Sequence, residues 1–175
     1  MAGLEEAGGG TPADIPAELE GAVLALNNAH ATELSPLDAG RLRALLRGAF
    51  YARRIGSLDA FLLALDEGHA GYDSPNYLWF RARHPRFVYV DRIVVAQGAR
   101  ERGHARRLYA DLVGRALGAG HDLLVCEVNS DPPNPASDAL HSALGFMEVG
   151  AAAIHGGVKA VRYLALPLPS RVAAT

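Results

Sequence analysis

Arg92-Ile93-Val94-Val95 runs through Ala96-Gln97-Gly98-Ala99 into Arg100-Glu101-Arg102-Gly103-His104-Ala105, and from there into an apolar stripe that reaches Ala116. The β-branched run reads as a strand, the glycine-bearing segment as a turn, and the stripe as a helix. Ala105, Leu108, Tyr109, Leu112, Val113, Ala116 and Leu117 recur at the spacing of one buried helical face. Gly118 and Gly120 stop it. Gly103 and Ala105 keep side-chain bulk away from the helix start, where unpaired amides and the positive end of the dipole favour an anion. Arg100, Arg102, Arg106 and Arg107 crowd the same end, which a bound phosphate would reconcile with the dipole. A solvated basic face is the plainer alternative.

The second half supplies a partner for this unit. Leu123 to Val128 is apolar enough for a buried strand, and Asn129-Ser130-Asp131-Pro132-Pro133 is expected to end it. Asn134 caps a helix with Pro135 at its first position, and Gly145 closes it before Phe146 opens another strand.

The pattern Val95-x(4)-Arg100-x-x-Gly103-x-Ala105, followed by Asn134-x-x-Ser137-x-x-x-His141-x-x-x-Gly145-Phe146, resembles motifs A and B of the GNAT superfamily, the acetyl-CoA-dependent N-acetyltransferases. Asp91-Arg92-Ile93-Val94-Val95, Cys126-Glu127-Val128-Asn129 and Pro132-Pro133-Asn134-Pro135 also resemble a bacterial subgroup of predicted acetyltransferases. The resemblance implies an α/β fold with a mixed, mostly antiparallel central sheet and helices on both faces. It implies transfer of an acetyl group from acetyl-CoA to a primary amine by direct attack in a ternary complex. Ile93, Val94 and Val95 would line the thioester, with the amide of Val94 or Val95 stabilising its oxyanion. Arg100, Arg102, Gly103, His104, Ala105 and Arg106 would hold the pyrophosphate, and Asn134 and Ser137 would also contact the cofactor.

Two positions depart from the family pattern. Gln97 replaces a proline, which changes the stiffness of the turn. His141 stands where the family places the tyrosine that protonates the departing thiolate. A protonated imidazole, with a reference pKa of about 6.5, can donate to a thiolate near about 8.5; packing or a contact to the cofactor is the alternative. An acceptor amine with a pKa near about 10.4 needs a base, for which Asp91 and Glu127 are the candidates. Asp91 shares alternation parity with Tyr89, Ile93 and Val95. Ion pairs with Arg92 or Arg162 are the alternative for either carboxylate. Along the helix, Asn134, Ser137 and His141 form a polar stripe opposite Ala136, Leu140, Ala143 and Leu144.

Composition agrees with one enzyme domain: 175 residues, half of them hydrophobic, with 17 basic and 19 acidic side chains and a net charge of −2. The near-neutral balance argues against nucleic acid, and the absence of an 18-residue apolar run argues against a membrane partner. A small-molecule or peptide amine is the expected acceptor, a homodimer is compatible, and a cytoplasmic setting is expected. The single cysteine, Cys126, sits within a buried strand and reads as structural. The seven histidines show no metal-ligand spacing.

Residues 1–16 and 170–175 read as disordered tails around a single domain over 17–169. Gly21 to Leu26 suits a strand or a helix continuing from Ala17. Ser35-Pro36-Leu37-Asp38 opens a helix, and Phe50 to Arg54 and Leu58 to Leu65 form a hairpin about Gly56-Ser57. Arg86 to Ala96 is the long central strand, and Phe146 to Gly150 and Lys159 to Leu166 close the chain. Gly68 to His84 reads as an aromatic loop whose Tyr72, Asn76, Tyr77 and Trp79 would wall the acyl acceptor or plug the core edge. A non-catalytic acyl-CoA-binding regulatory module is the competing function. An RNA-binding patch is disfavoured because no aromatics interleave the arginines.

Overall fold

Two central strands of the sheet, β4 (Val88–Val95) and β5 (Leu123–Asp131), run parallel yet pair at only two rungs, Val88 with Leu124 and Tyr89 with Val125. Beyond Val90 they diverge, opening a cleft in the middle of the fold. In the computed structural model, which describes residues 10–169, the remaining pairs are antiparallel and the seven strands are ordered β1-β2-β3-β4-β5-β7-β6. Here β1 is Ala13–Asp14, β2 Tyr51–Ile55, β3 Ala60–Asp66, β6 Met147–Ile154 and β7 Lys159–Pro167.

The helices divide between the two faces. α1 (Glu20–Ala29), α2 (Ala39–Gly48) and α3 (Pro75–Arg81) lie over a core containing Phe61, Leu63, Tyr89, Val125 and Tyr163. On the other face α4 (His104–Gly118) and α5 (Pro135–Leu144) cover Leu62, Ala64, Val90, Leu124 and Leu164. β3 is buried on both faces from Ala60 to Leu65, which accounts for its continuous apolar run.

Local signals place most boundaries. The Asp38 carboxylate accepts from the Arg41 amide and caps α2, so the helix opens at the last residue of Ser35-Pro36-Leu37-Asp38. The Asn134 side chain accepts from the Ser137 amide, Pro135 occupies the first turn of α5, and Gly145 ends it at φ 93°. Gly21 to Leu26 is helical, within α1.

Four expectations are corrected. The expected N-terminal tail is shorter, because Ala13–Asp14 pairs with Arg53 and Arg54; residues 1–9 and 170–175 lie outside the described residues. Gly68 to His84 is not all loop: Pro75–Arg81 is helical, burying Asn76, Tyr77 and Phe80. β5 continues through Asn129 to Asp131 because β7 supplies Val161 and Ala160 as partners, with a bulge absorbing the irregular step. In β4, Leu63 pairs with Arg92 while Ala64 pairs with Val90, so Asp91 is the extra residue of a bulge. The bulge resets the alternation: Tyr89 and Val94 face the α1–α3 side, whereas Ile93 and Val95 join the α4–α5 side.

Candidate active site

The divergence of β4 and β5 opens a cleft of about 740 Å³, walled by β4 from Val90 to Val95, by the turn into α4, and by α5. Gly103 caps α4 at φ 75° and ψ 15°, a left-handed conformation that L side chains adopt only with strain. A Cβ there would meet only the Arg107 guanidinium, at 3.9 Å, so the glycine serves backbone geometry and ligand access rather than internal packing.

Of the residues expected at the cofactor, Ile93, Val94, Val95, Arg100, Gly103, His104, Ala105, Arg106, Asn134 and Ser137 line this cleft. Arg102 does not. Its carbonyl accepts from Arg107 Nη1, which also lies 3.3 Å from His104 Nδ1. A guanidinium can only donate, so His104 Nδ1 is the acceptor and the ring proton sits on Nε2. That Nε2 is buried with no partner among the described residues, an orphaned donor beside the turn. The open amides at the start of α4, Arg100, Arg106 and this donor fit a pyrophosphate.

α5 presents Asn134, Ser137 and His141 to the cleft, and His141 is its buried residue; the expected polar stripe therefore faces inward. Leu140 and Ala136, expected on the opposing stripe, line the cleft as well. His141 Nδ1 lies 2.7 Å from the Ser137 carbonyl, which can only accept, so Nδ1 carries the ring proton. Nε2 then accepts from the Tyr109 hydroxyl at 2.7 Å. Burial pushes the pKa of His141 below its ordinary value. This environment favours a neutral, doubly engaged imidazole and not the imidazolium acid expected from the sequence.

A smaller cavity of about 110 Å³ opens off the cleft on the α1–α3 side. Asp91, Arg92 and Glu127 line both spaces, at their junction. The carboxylate of Asp91 is committed: Arg92 Nε donates to it at 2.6 Å and the Tyr72 hydroxyl donates to its other oxygen, in a pair only 5% and 3% exposed. Arg92 also donates to Asn27 Oδ1 at 2.8 Å and to the Ser35 carbonyl at 3.2 Å. Burial opposes its charge, but the adjoining Asp91 carboxylate outweighs that and raises its pKa. The ion pair considered for Asp91 thus forms, and it ties β4 to α1 and the following loop.

Glu127 differs. Arg162, its other considered partner, faces Asp138 and Glu148 instead. Burial drives the Glu127 carboxyl from its ordinary 4.5 to about 7; the Asp91 charge adds to this, and the Tyr89 hydroxyl and Asn76 amide directed at it resist. The Tyr163 hydroxyl holds Asn76 Oδ1 at 3.0 Å, which turns the amide donor towards the carboxylate. Glu127 Oε2 is shielded and has no partner among the described residues.

Of the four residues expected at the acceptor, Tyr72 and Asn76 line the smaller cavity. Tyr77 is wholly buried in the core, its hydroxyl donating to the Asp66 carbonyl. Trp79 stacks on Tyr163 with ring centroids 4.2 Å apart and carries the Arg83 guanidinium on its ring. Both pack against the core, and neither lines the cleft or the smaller cavity. Sequence reading missed Glu33, Arg41, Asn129 and Lys159, which also line the cavity. Asn129 had a usable signal, since it lies two residues from Glu127 and shares its face. Cys126 lines the cleft from a buried position where desolvation raises its pKa, consistent with a structural thiol.

A model of the acetyltransferase (GNAT) family matches residues 37–146. The chain belongs to that family. The family uses acetyl-CoA, and the chain is a GNAT-type acyltransferase by that membership. No curated protein sequence matches it significantly. Among solved structures, it is similar to the ribosomal-protein-S18-alanine N-acetyltransferase from Escherichia coli, at 18% identity and a TM-score of 0.67 over 94% of this chain and 98% of that one. Chaetomium thermophilum Naa20 in complex with a bisubstrate analogue aligns at 16% identity and a TM-score of 0.70, covering 90% and 86%. The NatC complex bound to Gag peptide and CoA aligns at 14% identity and a TM-score of 0.67, covering 91% and 98%. At these identities the likeness establishes the fold. Among the described residues, no helix is long and apolar enough to cross a membrane.

Proposed function

We propose that this acetyltransferase acetylates a primary amine by direct attack, with Glu127 as the general base. The observation that carries this reading is a partly unsatisfied carboxylate with a pKa of about 7, placed where the cleft meets the smaller cavity. Acetyl-CoA supplies an activated thioester whose acyl group passes to the amine. The amine enters through the smaller cavity as an ammonium ion, gives a proton to Glu127, and presents its lone pair at the junction. A base with a pKa near the working pH is ionised often enough to accept that proton and releases it again readily.

Beyond Val90 the β5-facing edge of β4 is open, so a backbone N–H there would hold the thioester carbonyl. Neighbouring amides in a strand point to opposite edges, so only one of Val94 and Val95 serves. Gly103, Arg100, Arg106 and His104 would hold the pyrophosphate, and Asn134 and Ser137 bound the adjoining part of the cleft. Asp91 acts as a positioning residue through Arg92, and its charge helps to hold the Glu127 pKa up. His141, neutral and bonded to Tyr109, positions α5 against α4. With His141 engaged by Tyr109 and Ser137, water would supply the proton to the departing thiolate, whose reference pKa of about 8.5 makes it a serviceable leaving group.

Release of coenzyme A thiol, followed with acetyl-CoA and a panel of amines, tests the reaction. Amine-dependent release that is lost in Glu127→Gln is expected. Binding of acetyl-CoA without release for any amine would overturn it and favour the regulatory-module reading.

A further inference from the structure

The charges around the smaller cavity are segregated. Its three carboxylates, Glu33, Asp91 and Glu127, all line the junction shared with the cleft. Arg41, Lys159 and His155 line the smaller cavity but not the cleft, and no carboxylate accompanies them there. Arg92, which with Arg41 and Lys159 completes the arginines and lysines of the cavity, is consumed by Asp91, Asn27 and Ser35. One end of the cavity is therefore acidic and faces the acetyl donor, and the other is basic and faces away.

The basic end is not neutralised from within. Lys159 is half-buried and forms no ion pair among the described residues. Arg41 meets only Asp73, at 3.8 Å, in a pair whose side chains are 55% and 87% exposed, a contact too solvated to hold the guanidinium. A half-buried ammonium without a counter-charge loses hydration with no compensation, and an anion from outside would supply it.

Strand geometry puts the two ends on one surface. Tyr163 is the register partner of Glu127, and Val161 that of Asn129. Val161 and Tyr163 both face the α1–α3 side, and Lys159 follows the same alternation. Four residue steps along β7, about 13 Å at strand rise, carry the chain from Lys159 to Tyr163. Side chains reaching inward from both ends leave a span suited to one small molecule.

We propose that the acceptor is a small amino carboxylate, such as a free amino acid, whose ammonium group lies at Glu127 and whose carboxylate is held by Lys159 and Arg41. This rests on the acetyl-transfer reading of the same site. It separates the acceptor from polyamines, whose second cation would meet Lys159, and from amines with no anionic group.

The test compares matched sets at saturating acetyl-CoA: L-amino acids across the common side chains, their carboxamides, and the corresponding decarboxylated amines. The best amino acid is expected to exceed its amide at least tenfold in kcat/KM. Lys159→Ala and Arg41→Ala should erase that preference through KM, and Lys159→Glu should invert it in favour of the decarboxylated amine. Equal or better turnover of amides and amines by the wild type would overturn the proposal, as would a preference that survives in the double variant. A failure of acetyl transfer itself would appear as no thiol release with any set. Thermal shifts in the presence of coenzyme A then decide: stabilisation by acids and not by amides, lost in Lys159→Glu, supports carboxylate recognition, and absence of that difference overturns it.

Discussion

Replacing Glu127 with Gln removes the ionisable group and keeps its shape, which makes two effects separable. The carboxyl rises from 4.5 to about 7 on folding, so at ~1.4 kcal/mol per unit its ionised form costs the native state on the order of 3 kcal/mol. Because the folded-state pKa is the higher one, the stabilising contribution is complete below 4.5 and is lost as pH rises through about 7. Between pH 5 and pH 8 the wild type should therefore lose roughly 2.5 kcal/mol relative to Glu127→Gln. Urea denaturation of both proteins at the two pH values measures that difference. The same variant should lower kcat/KM for amine acetylation by roughly 10²-fold or more, as expected for a positioned base. The acidic limb near pH 7 in the wild-type profile should disappear. A Glu127→Gln protein within threefold of wild-type activity, with the same limb and no pH-dependent stability gain, would refute both the burial argument and the base assignment.

Three further outcomes follow from named contacts. Arg92→Met leaves the Asp91 carboxylate buried without its cation and should destabilise the fold by about 3–5 kcal/mol, read from the urea midpoint; a loss under 1 kcal/mol would show that the pair is hydrated. Arg100→Ala and Arg106→Ala should raise KM for acetyl-CoA with kcat nearly intact, whereas Arg102→Ala, outside the cleft, should change neither. His141→Ala should lower the melting temperature by breaking the bonds to Tyr109 and Ser137 while reducing kcat by less than tenfold. A 10²-fold fall in kcat, rescued by His141→Tyr with the alkaline limb moved upward, would instead establish the acid role.

Much of the candidate cofactor cleft was legible because its determinants are local. The glycine at 103, the periodicity behind it, the Asn134-Pro135 start and the Gly145 stop each act over a few residues, and the structure places ten of the eleven expected cofactor residues around one cleft. The exception, Arg102, shows the limit: an arginine in the right turn is exposed to solvent without lining the cleft. α3 escaped notice because seven residues make too few turns for a period to register, and Ser74-Pro75 reads equally well as a turn or as a helix start.

The acceptor side was decided by tertiary structure. No feature of Val90-Asp91-Arg92 announces that Ala64 will pair with Val90 and Leu63 with Arg92, yet that register expels Asp91 into a bulge and reverses the facing of every residue after it. Glu127 and Asp91 look alike as isolated carboxylates. They part because one is given Arg92 and Tyr72, while the other is buried with an oxygen unsatisfied. Likewise the chemistry of His141 is set by Tyr109, 32 positions away, and the basic end of the cavity by Arg41 and Lys159 from opposite halves of the chain. Helix caps and periodicity are short-range properties of covalent neighbours. Desolvation and charge complementarity depend on which distant segments exclude water from one another, and only the folded chain sets those neighbours.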